Sequence, residues 1–345
     1  MRNTAPTAET AGAFTSGTPL GRSLASPLGR RGLLGLAATA TAGLARAETP
    51  YPNRPIRMFV PWTAGGISDV QMRALASGAS QRLGQPIVAE NRTGASGAIA
   101  AQQLLNERPD GYCISQMPES LFLYPFMSPR PAFDPIRDFT YIIQVANRAL
   151  GMVVRADAPW TSVQGLIDYA AANPGKINIG TPGVGTVMHI VIEEIAAMRG
   201  LEWTHVPFRG GADSLNALLA GQIQAVIDSG GWAEQVLQGQ MRLLATLGPT
   251  RSRRFPDAPT LRESGVDLEA TSAYGFVGPR GMDPAVVRQL HDAFHAALED
   301  PAHLQVLERY NMEIDYLNTA DYEAHARRRV EASRAVMQRV GARLI

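Results

Sequence analysis

Two stretches of this sequence share one arrangement: a short apolar run, a glycine-rich turn, then residues that open a helix. The first is Val60-Pro61-Trp62-Thr63-Ala64-Gly65-Gly66-Ile67-Ser68-Asp69. The second is Ile179-Gly180-Thr181-Pro182-Gly183-Val184-Gly185-Thr186-Val187-Met188-His189. Glycine lets a backbone approach a guest closely. The first N–H groups of a helix have no partner inside it, so they favour an anion. Two such loops on separate halves of a molecule can hold a carboxylate between them; each alone is equally well a tight strand-to-helix turn. Val206-Pro207-Phe208-Arg209-Gly210-Gly211 and Asp228-Ser229-Gly230-Gly231 read as further cleft edges. Asp228 either accepts hydrogen bonds from a ligand amine or hydroxyl or caps the next helix. Arg209 either adds positive charge near a cleft or stands exposed.

Other chemistries find less support. There is no G-x-x-x-x-G-K-S/T run, the sole lysine is Lys176, and neither loop is a true G-x-G-x-x-G, which argues against a nucleotide site. Gly94-Ala95-Ser96-Gly97 has little specificity. No G-x-S-x-G elbow occurs, and Ser68, His189 and Asp228 form a triad only on paper. His205, His303 and His325 belong to no metal motif. His291 and His295 stand four apart on a helix without a third ligand, which reads as a solvated face. Cys113, the only cysteine, allows no intrachain disulfide or thiolate cluster and reads as a small buried hydrophobe. Neither catalysis, a cofactor nor a metal is expected.

The elements that must position the loops alternate. Strands are predicted over 56–60, 87–90, 112–116, 141–146, 152–155, 177–180, 203–206, 223–227, 241–246 and 274–277. Helices are predicted over 68–83, 95–106, 162–173, 212–219, 284–298, 301–310 and 320–340, with one more running from the second loop to Arg199. The last seventy residues thus read as helical. Ser68-Asp69-Val70-Gln71 matches a capping box, and Asp69 suits the positive end of a helix. This alternation implies an α/β fold of parallel sheets with helices on both faces. A length of 345 residues with 45% hydrophobic content suits two domains. Residues 251–259, rich in Arg and Pro, read as a linker.

Residues 1–47 read as a targeting segment, with a twin-arginine pair at Arg30-Arg31, an apolar stretch over 32–44 and a small-residue cleavage site at Ala45-Arg46-Ala47. The apolar stretch is too short to span a bilayer comfortably. Its removal takes five arginines (Arg2, Arg22, Arg30, Arg31 and Arg46) and one acid, Glu9. The remainder has 27 basic and 30 acidic residues, a net charge of −3. Without a basic stripe, nucleic acid is not an expected partner.

An ordered series of short motifs runs through nearly all of the remaining chain. It includes Arg54-Pro55-Ile56-Arg57, Val60-Pro61 with Ala64-Gly65-Gly66 and Asp69-Val70, Leu83-Gly84-Gln85-Pro86, Glu90-Asn91-Arg92, and Pro109-Asp110-Gly111-Tyr112. It continues with Asp134-Pro135, Arg137-Asp138-Phe139, Pro174-Gly175-Lys176-Ile177, Val206-Pro207-Phe208-Arg209-Gly210, Gly221-Gln222, Asp228-Ser229 and Phe255-Pro256-Asp257. This series resembles the Bug receptors, the substrate-binding proteins of tripartite tricarboxylate transporters.

The resemblance implies a two-lobed periplasmic-binding-protein fold (Venus-flytrap, type II-like) with two hinge crossovers. It implies a monomer in the periplasm that captures a small carboxylate and delivers it to a membrane permease of one large and one small subunit. Carried onto this chain, the first lobe spans 48–148 and 272–345, the second 149–250, and residues 251–271 return between them. The carboxylate is expected at Trp62, Thr63, Ala64, Gly65, Gly66 and Ser68 on one side and Thr181, Gly185, Thr186 and His189 on the other. The distal part of the ligand is expected to meet Pro207, Phe208 and Asp228. Departures from the family pattern, among them Trp62, Ile67, Pro182 and Val187-Met188, imply a bulkier and more apolar pocket, suited to an aromatic or branched carboxylate. Glu119, if it faces the cleft, opposes a second carboxylate and favours an amine. The same site would serve a sensory input protein for a histidine kinase; a cleft enzyme is the remaining alternative.

Overall fold

The computed structural model describes residues 50–127 and 130–344. The targeting segment expected over 1–47 lies outside the described residues.

The chain opens with β1 (Ile56–Val60), α1 (Ile67–Leu83), β2 (Ile87–Asn91), α2 (Ala98–Leu104) and β3 (Cys113–Pro118). Then come β4 (Phe139–Arg148), β5 (Leu150–Arg155), α3 (Val163–Ala172), β6 (Asn178–Thr181), α4 (Val187–Arg199), β7 (Thr204–Pro207) and α5 (Gly211–Leu219). The remainder is β8 (Ala225–Ser229), α6 (Ala233–Leu237), β9 (Met241–Thr246), β10 (Ser272–Pro279), α7 (Pro284–Ala297), α8 (Pro301–Arg309), β11 (Met312–Leu317) and α9 (Thr319–Leu344). Two sheets organise these elements. The first lobe carries the order β11-β4-β10-β3-β1-β2 and the second the order β7-β6-β8-β5-β9. The expected two-lobed α/β architecture is therefore present.

The sheets are mixed rather than parallel throughout. β1 runs parallel to β2 and β3, and β6 to β7 and β8. β10 is antiparallel to β3 and β4, and β5 is antiparallel to β8 and β9. The reason lies in the crossings. β4 leaves the first sheet and, after Ala149 alone, the chain enters the second as β5. It comes back as β10, which inserts between β3 and β4 in the opposite sense. Covered on both faces, β1, β3, β8 and β10 read as nearly unbroken buried runs.

Other expectations are corrected. β11 interrupts the supposedly helical last seventy residues, because an edge position beside β4 selects strand for a segment with weak alternation. The helix expected over 95–106 is a 3-10 turn at Ala95–Gly97 followed by the shorter α2. The capping box at Ser68 does not form. The N-cap of α1 is Gly66, with no side-chain cap. Asp69 instead accepts the Gly65 N–H (2.9 Å) and pairs with Arg73 (2.9 Å), so it braces the loop.

The first lobe packs α1 and α7 against one face of its sheet, with Met72, Leu75, Leu290 and Phe294 buried there; the other face is covered by α2 and α9. In the second lobe α3 and α4 cover one face, and Leu218, Trp232 and Phe255 fill the other. α9 also reaches the second lobe. Its Val336, Met337 and Val340 pack with Leu123, Met127 and Ile190, and Arg339 pairs with Glu194 of α4.

Trp232 ties the second core to the site. It is fully buried, its ring centroid lies 5.2 Å from that of Phe255, and its Nε1 donates to the Asp228 carbonyl at 3.1 Å. A Cβ on Gly151 would stand 2.5 Å from the Trp232 ring, so β5 carries no side chain there. Trp232→Ala is expected to cost about 3–5 kcal/mol, the usual range for emptying a buried aromatic position; urea unfolding followed by circular dichroism measures it.

Candidate functional site

A cavity of about 200 Å³ lies between the lobes. It is smaller than the roughly 300–1,000 Å³ of pockets that enclose drug-sized ligands, so its size suits a small metabolite. The first lobe supplies the β1–α1 loop (Trp62, Thr63, Gly65, Gly66, Ile67, Ser68), the segment after β3 (Pro118, Glu119, Ser120), Arg148 at the end of β4, Ser272 and Tyr310. The second lobe supplies Pro182, Thr186, Val187, Met188, Gly210, Gly211, Ala212, Leu215, Asn216, Asp228, Ser229, Gly231 and Gln235. Most of the wall is apolar, with a few polar groups set into it, as is usual for ligand sites.

Three helix starts open onto this space. Gly65 takes a left-handed backbone (φ 76), a turn that favours glycine, and brings the chain from β1 into α1. α1 and α5 are both capped by glycines, Gly66 and Gly210, that contribute no side-chain hydrogen bond. Their first N–H groups thus depend on whatever lies beyond the helix end. α4 differs: the Thr186 side chain accepts the His189 N–H and so satisfies one of these donors.

The charged groups are more telling. Arg148 is only 4% exposed, yet its Nε and Nη2 have no hydrogen-bond partner among the described residues; Nη1 reaches Ser272 Oγ at 3.4 Å. The guanidinium stacks 4.0 Å from the centre of the Tyr274 ring and lies 6.0 Å from that of Trp62. Burial pulls its pKa below the usual arginine value. The carboxylates facing it are otherwise engaged or unpartnered. Glu119 pairs with Arg329 and accepts the Ala273 N–H at 3.0 Å, while burial pushes its pKa up. Asp228 is 1% exposed and its Oδ2 has no partner among the described residues. Burial pushes its carboxyl up to about 7, against the opposing pull of the Ser229 backbone bond and of Arg148.

Of the residues singled out by sequence, Trp62, Thr63, Gly65, Gly66, Ser68, Thr186 and Asp228 line the cavity, whereas Ala64, Thr181, Gly185, His189, Pro207 and Phe208 do not. Pro207, Phe208 and Arg209 line a neighbouring groove with Pro61, Trp62 and Thr93 to Ser96. Thr181 sits under the second loop, with its Oγ1 2.6 Å from His205 Nε2. His189 Nδ1 accepts the Gly185 N–H at 3.1 Å, its ring stacks on His205 (3.6 Å), and its Nε2 is 3.7 Å from Glu193. His189 and Gly185 therefore occupy each other. With His189 off the cavity, Ser68, His189 and Asp228 do not assemble as a triad. Among the described residues no cluster of His, Cys, Asp and Glu could hold a metal ion, and no helix is long and apolar enough to cross a membrane.

Sequence reasoning missed Arg148, Ser272, Gln235, Asn216 and Tyr310. Arg148 closes a strand pattern that looks like any other. Its neighbours Tyr274, Ser272, Trp62 and Asp228 are distant in sequence, so no local signal marked it. Asp228 lies within β8, and α6 has Trp232 rather than Asp228 as its N-cap.

Residues 71–342 match the model of the tripartite tricarboxylate transporter family receptor, TctC. A Cupriavidus necator protein, named UPF0065 protein in the gbd 5′ region, is 41% identical over 311 residues, covering 88% of this chain and 95% of its own. The structure of periplasmic binding protein BugD aligns with a TM-score of 0.80 at 28% identity, covering 84% of this chain and 99% of that one. An R. palustris protein solved with adipate aligns with a TM-score of 0.80 at 28% identity, covering 85% and 99%.

The raised Asp228 carboxyl makes a prediction with a definite sign. The folded protein keeps a proton that the unfolded chain releases from the ordinary value of 3.8 upward. Stability referred to this group is therefore lost as pH rises from about 4 to about 7, and it changes no further above that. Asp228→Asn has no such titration. The variant is expected to gain on the wild type across this window, by roughly 4 kcal/mol at most. Unfolding free energies of both proteins at pH 4, 5.5, 7 and 8 test this; a constant difference between them would count against it.

Proposed function

The chain belongs to the tripartite tricarboxylate transporter receptor family, and from that premise we propose that it is a periplasmic receptor that captures a small carboxylate between its lobes for delivery to a membrane permease of one large and one small subunit. The observation that carries the reading is the inter-lobe cavity onto which the uncapped starts of α1 and α5 open from opposite lobes. Helix starts of this kind favour negative charge. Trp62, Ile67, Val187, Met188 and Leu215 would cover an apolar ligand body, which favours an aromatic or branched acid. The R. palustris relative holding adipate supports an organic acid as the ligand class.

Capture would work by closure about the two crossings, β4 to β5 and β9 to β10. The seam is built for close approach, because glycines of the second lobe face the first. A Cβ on Gly210 would lie 2.9 Å from Thr63 Oγ1, one on Gly183 2.7 Å from Ser96 Oγ, and one on Gly231 3.0 Å from Ile67 Cδ1. Ser96 Oγ donates to the Val184 carbonyl across it at 2.5 Å. The Arg254 guanidinium joins Glu234 of the second lobe to the carbonyls of Glu308 and Arg309 in the first. A ligand that contacts both lobes then stabilises the closed form by its differential affinity for it.

A thermal-shift screen of benzoate, phenylacetate, 4-methylpentanoate, hexanoate, adipate and malate is expected to raise the unfolding midpoint with at least one of them, since a ligand bound only to the native state stabilises it. No shift with any of the six at millimolar concentration would remove the carboxylate reading. Gly210 has an extended backbone (φ 176) that any residue adopts, so Gly210→Val should fold and yet hold the loops apart. Calorimetry with the best of the six acids is expected to show affinity down at least about tenfold, which is 1.4 kcal/mol.

A further inference from the structure

We infer that Arg148 is the specificity-determining residue of the cavity, forking through Nε and Nη2 onto the two oxygens of the ligand's carboxylate. The inference rests on the carboxylate-receptor reading and says which side chain carries it.

A guanidinium cannot shed its proton at ordinary pH. Burying it without an anion or a full set of acceptors is unfavourable. Arg148 is buried at the last residue of β4, where the chain passes from one lobe to the other. Of its nitrogens, Nη1 has a long contact to Ser272, while Nε and Nη2 have none. Among the described residues it forms no ion pair within 4 Å, although Glu119 and Asp228 both feel its charge. Glu119 is held away by Arg329 and the Ala273 N–H. Asp228 stands on β8 of the other lobe, its backbone carbonyl tied to Trp232 and its Oδ2 facing no donor. The fold thus neutralises one neighbouring acid, keeps the other from closing on the guanidinium, and leaves a cation at the cavity wall.

The unpartnered pair of nitrogens also defines a shape. Nε and one Nη lie on the same edge of the planar group and present two parallel N–H donors, which match a carboxylate in bidentate fashion. Tyr274 under one face of the group restrains its plane. A primary amide of the same acid offers one acceptor oxygen and two donors, and the donors would be turned toward the cation. The cavity should therefore separate an acid from its amide sharply. Lysine at this position would keep the charge and lose the fork.

The test uses the full chain, freed of co-purifying ligand by unfolding and refolding, and calorimetry with the acids of the panel above and their primary amides. The wild type is expected to bind its best acid at least about 100-fold more tightly than the matching amide, given what an unpaired buried charge costs. Arg148→Met is expected to lose about 100-fold in affinity for that acid and so to lose the discrimination between the acid and its amide. Its unliganded unfolding midpoint should hold or rise, because an uncompensated buried charge has gone. Arg148→Lys is expected to retain binding about tenfold weaker than the wild type. Arg148→Met binding the acid within threefold of the wild type would overturn the inference while leaving the receptor reading intact. So would a lower unliganded midpoint for both variants together with an unchanged acid-to-amide ratio in Arg148→Lys, which would make the arginine structural. A wild type that binds none of the acids would overturn the receptor reading, and this inference with it.

Discussion

Strand β4 carries a permanently charged side chain, Arg148, into the seam between two sheets, where the surroundings give it an aromatic face and one long contact to a serine hydroxyl. Charge in such a place is tolerated only when something of opposite sign is near. Among the described residues, the acids whose charge reaches it are Glu119, which is bound to Arg329, and Asp228, whose buried carboxyl is pushed toward neutrality. Each of these arrangements depends on a different element: Glu119 on the turn after β3, Arg329 on α9, Asp228 on β8. The electrostatics of the cavity is thus a property of the assembled lobes and of no single segment.

The seam itself is made by omission. Where the second lobe meets the first, the sequence places Gly183, Gly185, Gly210, Gly230 and Gly231, and a Cβ at any of them would run into the opposite lobe. Side chains removed from one surface let the other approach within hydrogen-bonding reach, as at Ser96 and Val184. The glycines that looked like a ligand cradle thus divide their work. Gly65, Gly66, Gly210 and Gly211 border the cavity, while Gly183 and Gly185 face Ser96 and Met127 beside it. His189 and Thr181, polar residues next to the second loop, turn inward and hold that loop in shape.

Much of the architecture was legible. Alternation of apolar runs with helix-period segments is strong over 56–116 and 162–246, and the ordered motifs there resemble one receptor family, to which the chain belongs. The misreadings have a common cause. β11 is a strand because β4 offers an edge, and β10 is antiparallel because the chain returns across the seam; neither is encoded within a window of ten residues. The capping box at Ser68 failed because α1 begins earlier, with Gly66 as its N-cap, which puts Ser68 inside the helix; Asp69 braces Gly65 and pairs with Arg73 instead.

From the residues alone came the two-lobed α/β class, the family resemblance, and the candidacy of the loop from Trp62 to Ser68 and of Asp228. Those are consequences of local composition and spacing, which survive as one-dimensional patterns. Which groups share one cavity was decided only in three dimensions. Arg148 meets Trp62, Ser272, Tyr274 and Asp228 through strand register and lobe contact, while His189 and Thr181 are drawn off into their own loop. Pattern reports which face of an element is apolar; whether a buried polar atom finds its partner depends on chains brought together from far apart, and that information exists only once the molecule has folded.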